Sequence, residues 1–246
     1  MVLLHGLGAS SAQFEFLLPG LADRHSVLMV DCPGHGGNLA EPSAPIGFAP
    51  FTELVLQLCA HLGIRDARFA GISMGSALAL ACAARQPELV RALVLIRPSW
   101  LAAPAPDHLA LIDRCGRWLT EADPAAAQRQ LEADPDYIEM RDEVPLAAAS
   151  VRALFARPHA AAHAPVLSAM FHSAPFDAIR ALRAIRTPAI VVGTHADSLH
   201  PVPIANATAN ALPDAELVIL PPRYLQPDKH RAALAQLLLN PTGVAA

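Results

Sequence analysis

The stretch that decides the fold is Arg68-Phe69-Ala70-Gly71-Ile72-Ser73-Met74-Gly75-Ser76-Ala77-Leu78-Ala79-Leu80-Ala81-Cys82-Ala83-Ala84. It opens on a short apolar run, RFA, and ends in strong helix formers. Between them Ser73 is flanked by glycines two residues before and two after. A serine on so sharp a strand-to-helix turn carries strained backbone angles and meets neighbouring backbone on both sides, which only small residues allow. Such a turn lifts a hydroxyl out at the carboxyl end of a strand. In open α/β sheets that is where ligands bind.

Working outward, the same rhythm repeats. VLL (2–4), SVLMV (26–30), RFA (68–70) and RALVLI (91–96) read as strands. Helical segments are expected over 11–18, over 51–62 with Leu54, Leu56, Leu58 and Leu62 as its apolar residues, and from the turn to Arg85. The strands are apolar without alternation, as in a parallel sheet covered on both faces. From about 99 to 187 no strand is convincing, and apolar helical patches such as HLALIDRCGRWL predominate. Alternation then resumes with PAIVVG (188–193), the helical IANATANAL, AELVIL (215–220) and the helical DKHRAALAQLLL. The expected class is α/β: a mostly parallel sheet flanked by helices, its core formed by 1–98 and 188–246, with a helical cap inserted at 99–187.

Composition narrows the function. Of 246 residues, 53% are hydrophobic and 16% charged, enough for a large core and unlike a disordered chain. A net charge of −4 offers no basic face for nucleic acid. No apolar run reaches the roughly 18 residues of a membrane helix. Cys32, Cys59, Cys82 and Cys115 show no metal-type pairing. A reduced, cytoplasmic protein is the expectation.

Four loops then carry a resemblance. His5-Gly6-Leu7-Gly8 follows the first strand, Asp31-Cys32-Pro33-Gly34-His35-Gly36 the second, Gly71-Ile72-Ser73-Met74-Gly75 the third, and Ala196-Asp197-Ser198-Leu199-His200-Pro201 the run PAIVVG. In this order they resemble the HGxG, D-x-P-G-H-G, nucleophile-elbow and acid loops of the α/β-hydrolase superfamily, over essentially the whole chain. The segment RPSWL (97–101) also resembles a variant found in some bacterial members. The resemblance implies Ser73 as nucleophile and Asp197 as the acid that orients the base. It implies backbone N–H groups of Leu7 and Met74 as the oxyanion hole. His5 and His35 read as residues that fix their own loops.

The base is harder to place. The superfamily carries a Gly-His pair after its last strand, and here that segment is LPPRYLQPDKH. His230 is the only histidine downstream of that strand and is taken as the catalytic base. A helix N-terminus disfavours its protonated form, which makes the setting unusual. His200, three residues past Asp197, is the alternative. His195, Asp197 and His200 form H-x-D-x-x-H, but the acid-loop reading already accounts for Asp197, so no metal is expected. Arg97, just past RALVLI, is read as binding a substrate carboxylate or as pairing with the insert.

These readings make the chain a serine hydrolase acting on a small-molecule acyl compound (an ester, thioester or relative) through Ser73, His230 and Asp197, with no cofactor. Acyl transfer, haloperoxidase or C–C hydrolase chemistry would use the same residues. A non-catalytic ligand-binding or interaction protein would keep the elbow without a working base. The family's N-terminal hairpin would precede the first strand, and Met1 already stands inside that strand. Either the protein has lost the hairpin or the true start lies upstream, and the second is the expectation.

Overall fold

The computed structural model describes residues 1–39 and 45–240. Six strands form one sheet in the order β2-β1-β3-β4-β5-β6, and every pairing is parallel. In chain order they are β1 (Val2–Leu4), β2 (Leu28–Val30), β3 (Ala67–Ile72), β4 (Val90–Ile96), β5 (Ala189–Thr194) and β6 (Ala215–Leu220). β5 is buried throughout and β4 at all positions but Arg91. That burial is why these runs read as apolar without alternation.

Helices cover both faces. In chain order the helices are α1 (Leu18–Leu21), α2 (Phe48–His61), α3 (Met74–Arg85), then α4 (Ala110–Glu121), α5 (Pro124–Ala133), α6 (Pro135–Glu143), α7 (Pro145–Ala156) and α8 (Ala160–Phe171), and finally α9 (Val202–Ala211) and α10 (Pro227–Leu239). Leu3, Ala70, Val94 and Ile190 point to the face shared with Phe14, Leu21, Leu234 and Leu238, where α1 and α10 pack. Leu4, Phe69, Leu93, Leu95 and Val191 point to the opposite face, toward α2, α3 and α9. Successive residues of a strand face opposite sides, so each apolar run feeds two cores.

Two segments differ from the sequence reading. Residues 11–18 form a 3-10 helix, Ser11–Leu17, that runs into α1. α2 begins at Phe48, not Phe51, and buries Phe48, Phe51, Thr52, Val55, Leu56 and Cys59, while Leu54 and Leu62 are exposed. The buried set keeps the i, i+3, i+4, i+7 spacing of one helix face; Leu54 falls outside it, and Leu62 lies past the helix end as its C-cap.

Between β4 and β5 the described residues hold α4 to α8 and no strand. Prolines open three of these helices: Pro124, Pro135 and Pro145 each stand at a first helical position. Asp123 and Asp134 cap α5 and α6, each accepting two backbone N–H groups. Arg114 ties α4 to this corner, with Nε 2.8 Å from Asp134 Oδ2. Gly116 lets α4 and α8 touch; a Cβ there would stand 3.0 Å from Leu167 Cβ.

Candidate active site

All parallel strands end their carboxyl termini at one edge of the sheet. The loops after β1, β3, β4, β5 and β6 therefore converge there, and each brings one of the residues below.

Ser73 follows β3 and caps α3 with φ 54° and ψ −111°. Its N–H donates to Ile96 O at 2.9 Å, which locks the turn to the neighbouring strand. The two glycines have measurable reasons. A Cβ on Gly71 would stand 2.1 Å from Gly75 O, and one on Gly75 would stand 1.9 Å from Leu4 O. Both obstacles are backbone and cannot swing aside. Gly75→Ala is expected to cost about 3 kcal/mol or more of stability, or to prevent soluble expression. Gly37→Ala, with nothing within 4 Å of the new carbon, should leave the denaturation midpoint nearly unchanged. Equal midpoints for the two variants in a urea titration would refute this account of the turn.

The loop after β1 is held by hydrogen bonds that also fix a tautomer. Cys32 N–H donates to His5 Nε2 at 3.0 Å, so His5 Nδ1–H donates to Gly6 O at 2.8 Å. Burial pulls this imidazole below its usual range and keeps it neutral. Gly6 N–H donates to Gln13 Oε1 at 3.0 Å. The N–H groups of Leu7 and Met74 have no hydrogen-bond partner among the described residues. Behind this loop, Asp31 accepts from Ser11 N–H at 2.7 Å and Gly37 N–H at 3.1 Å, and buried His35 donates Nδ1–H to Pro33 O at 3.0 Å.

Asp197 follows β5 and is buried. Its Oδ1 lies 2.8 Å from His200 Nδ1, and its Oδ2 lies 3.1 Å from Arg97 Nη1. The structure thus brings Asp197 to His200 and not to His230. A turn makes this possible: His200 N–H donates to Asp197 O at 3.1 Å, folding the ring back onto the carboxylate three residues earlier. His195, the remaining member of the H-x-D-x-x-H triplet, is exposed. His230 lies in the first turn of α10, as its sequence position indicates, and donates Nδ1–H to Pro221 O at 2.8 Å.

Arg97 follows β4 with a positive φ of 50°. Its side chain is 3% exposed, and its ion pair is with Asp197 and not with the 99–187 segment. Burial would push the Asp197 carboxyl up. The His200 imidazole and the Arg97 guanidinium outweigh it and hold the carboxyl well below the usual carboxylate range. Burial pulls the His200 imidazole down; Asp197 opposes that shift and Arg97 adds to it. His230 is also drawn down by burial, against the pull of the Pro221 carbonyl.

Ser73 Oγ has one hydrogen-bond partner among the described residues, Ser99 Oγ at 3.1 Å. Ser99 in turn donates to Leu199 O at 3.1 Å, which makes the Ser73 hydroxyl the donor in the first bond. A cavity of about 280 Å³ opens on Ser73 and is also lined by Leu7, Trp100, Leu154 and His200. His230 lines a separate neighbouring cavity. Two groups were missed in the sequence: Ser99, for which RPSWL gave only a loop, and Arg223, which lines both cavities.

A buried serine on a strained strand-to-helix turn, lining one cavity at the sheet edge with a carboxylate-bound imidazole, marks an α/β hydrolase. A family model described as "alpha/beta hydrolase fold" matches residues 1–138, and the chain belongs to that family. It is 30% identical over 224 residues to the putative carbamate hydrolase RutD of Pseudomonas savastanoi pv. phaseolicola, covering 89% of this chain and 84% of that protein. It is 40% identical over 87 residues to the magnesium-chelatase 30 kDa subunit of Rhodobacter capsulatus, but that match spans only 35% of this chain and 31% of the relative. Among solved structures, MenH from S. aureus superposes with a TM-score of 0.78 at 19% identity, over 97% of this chain and 91% of that one. No helix among the described residues is long and apolar enough to cross a membrane.

Proposed function

We propose that the protein is a serine hydrolase that cleaves an ester, thioester or related acyl bond through an acyl-enzyme on Ser73. The observation that carries this reading is the Asp197–His200 pair at 2.8 Å, whose imidazole lines the same cavity as Ser73. Asp197 accepts the Nδ1–H, so Nε2 is the basic nitrogen. As Ser73 Oγ bonds to the substrate carbonyl carbon, His200 Nε2 takes the hydroxyl proton. For this the Ser73–Ser99 bond must yield, and Ser99 acts as a rest for the hydroxyl between turnovers. The oxygen that gains charge is held by the Leu7 and Met74 N–H groups, the latter at the N-terminus of α3. The imidazolium then gives its proton to the departing alcohol or thiol. Water, deprotonated by His200, attacks the acyl carbon and restores Ser73.

Residues 99–187 serve as a cap on the core of 1–98 and 188–246. Trp100, Leu109, Ile112, Val151 and Leu154 give the cavity its apolar walls. The name of the RutD relative adds carbamates to the acyl compounds worth testing. Acyl transfer, haloperoxidase or C–C hydrolase activity would use the same residues, and alcohol acceptors in the assay separate the first of these from hydrolysis.

One observation favours a second reading, a ligand-binding protein without turnover: Ser73 Oγ rests on Ser99 and not on an imidazole. Fluorophosphonate labelling decides between them. Covalent mass on the Ser73 peptide of the wild type, absent in Ser73→Ala, is expected of the hydrolase. An unlabelled wild type would leave only the binding reading.

A further inference from the structure

The cavity at Ser73 does not stand alone. A second cavity of about 590 Å³ adjoins it. Gln13, Ile72, Arg97, Ser150, Arg223 and Tyr224 line both and form their common wall. The second cavity also takes His230, Arg231 and a single acidic residue, Glu15.

The charge on the common wall is unbalanced. Arg97 is matched by Asp197, and Asp197 is at the same time held by His200. Arg223 forms no ion pair among the described residues. Its Nη1 donates to Tyr224 Oη at 3.3 Å, and its guanidinium lies 4.9 Å from the Tyr224 ring centroid. Its backbone is tied down as well, N–H donating to Thr194 Oγ1 at 3.3 Å. Arg97 Nε is buried with no hydrogen-bond partner. Two guanidiniums and one carboxylate leave one uncompensated positive charge beside the candidate nucleophile. Placing like charges together in a partly buried wall is unfavourable unless an anion joins them.

We propose that the wall between the two cavities is a carboxylate-binding subsite, so that the substrate is an acyl compound carrying a second, anionic carboxylate that docks on Arg223. A planar guanidinium matches a carboxylate through two parallel N–H···O bonds. One surplus positive charge matches a monoanion, whereas a phosphate ester brings about −1.5 to −2 at pH 7. The scissile carbonyl then lies over Ser73 in the smaller cavity, and the carboxylate end reaches the wall. This assignment rests on the hydrolase reading for which end of the ligand is cleaved, but the subsite itself does not.

The test is therefore a binding experiment in which no turnover occurs. Ser73→Ala protein is titrated calorimetrically with monomethyl glutarate and with dimethyl glutarate, its uncharged counterpart. The monoester is expected to bind about 10-fold or more tightly than the diester, the scale of a hydrogen bond to a charged group. Arg223→Gln in the same background should abolish the preference, with an unchanged thermal midpoint reporting that the fold survives. Arg223→Lys should keep part of it. Equal affinity for the two esters, a preference that survives in Arg223→Gln, or tighter binding of inorganic phosphate than of the monoester would overturn the subsite. Failure of fluorophosphonate labelling with the preference intact would remove the hydrolase reading and leave the subsite standing.

Discussion

With Ser73→Ala, kcat/KM toward the best substrate of a panel of p-nitrophenyl esters, acyl thioesters and carbamates is expected to fall on the order of 10⁴-fold or more. The variant loses the only protein atom proposed to bond to the substrate carbon. What remains is the Leu7 and Met74 N–H pair, which can still polarise a carbonyl toward water and accounts for residual turnover. The fold should be untouched. The substitution removes one oxygen and its bond to Ser99, and alanine tolerates the turn as well as serine does. A thermal midpoint within a few degrees of the wild type, together with lost turnover, is the expected pair of results. Equal turnover by wild type and variant would overturn the assignment of Ser73.

The second large effect separates two histidines. His200→Ala is expected to lower kcat by about 10³-fold or more, while His230→Ala should change it by less than about tenfold. The difference rests on who holds each ring. His200 Nδ1 is fixed by Asp197, so its other nitrogen is free to act as a base. His230 Nδ1 is fixed by the Pro221 carbonyl, which sets a tautomer but does not stabilise an imidazolium as a carboxylate does. Burial also sets the pH profile. It lowers the His200 imidazole, with Arg97 adding to the shift and Asp197 opposing it. A base whose proton affinity is reduced stays neutral to lower pH. The acid limb of kcat/KM is therefore expected below the ordinary imidazole value of about 6.5. If His230→Ala is the inactive variant, or if the limb lies above that value, His200 is not the base.

How far the sequence could be read depended on what each element uses to fold. β3 to β5 are apolar because both faces are covered, and that shows in one dimension. The elbow is equally visible, since backbone crowding at Gly71 and Gly75 admits only glycine. The partner of Asp197 is a different matter. Four superfamily motifs directed the search for a histidine to the far side of β6, while the carboxylate is met by a ring three residues away. Only the turn from Asp197 to His200 reveals this, and D-x-x-H spacing together with the absent Gly-His pair was the available signal. Arg223 was illegible for a related reason. Its place on the cavity wall depends on the bend after β6, which PPRY does not specify by itself. In the helical segment, by contrast, Asp-Pro at 123–124 and 134–135 marks two helix starts that a finer reading would have found.

The pairing of β4 with β5 bears on how the chain reaches this state. Leu93 meets Ala189, and all of α4 to α8 lies between them in the chain. Contacts between residues so distant in sequence form late, because the loop entropy is lost before the contact rewards it. During synthesis β1, β3 and β4 can pair and seat α3 while β5 is still absent. Until it arrives, the backbone of Leu93, Leu95 and Ile96 is an open, apolar strand edge, the kind of surface on which other chains add. The nucleophile turn therefore belongs to the half of the sheet that can assemble first. Asp197 and His200 come with the strand that closes the exposed edge, so any delay there produces a chain with a finished elbow, an incomplete charge network and a sheet ready to aggregate.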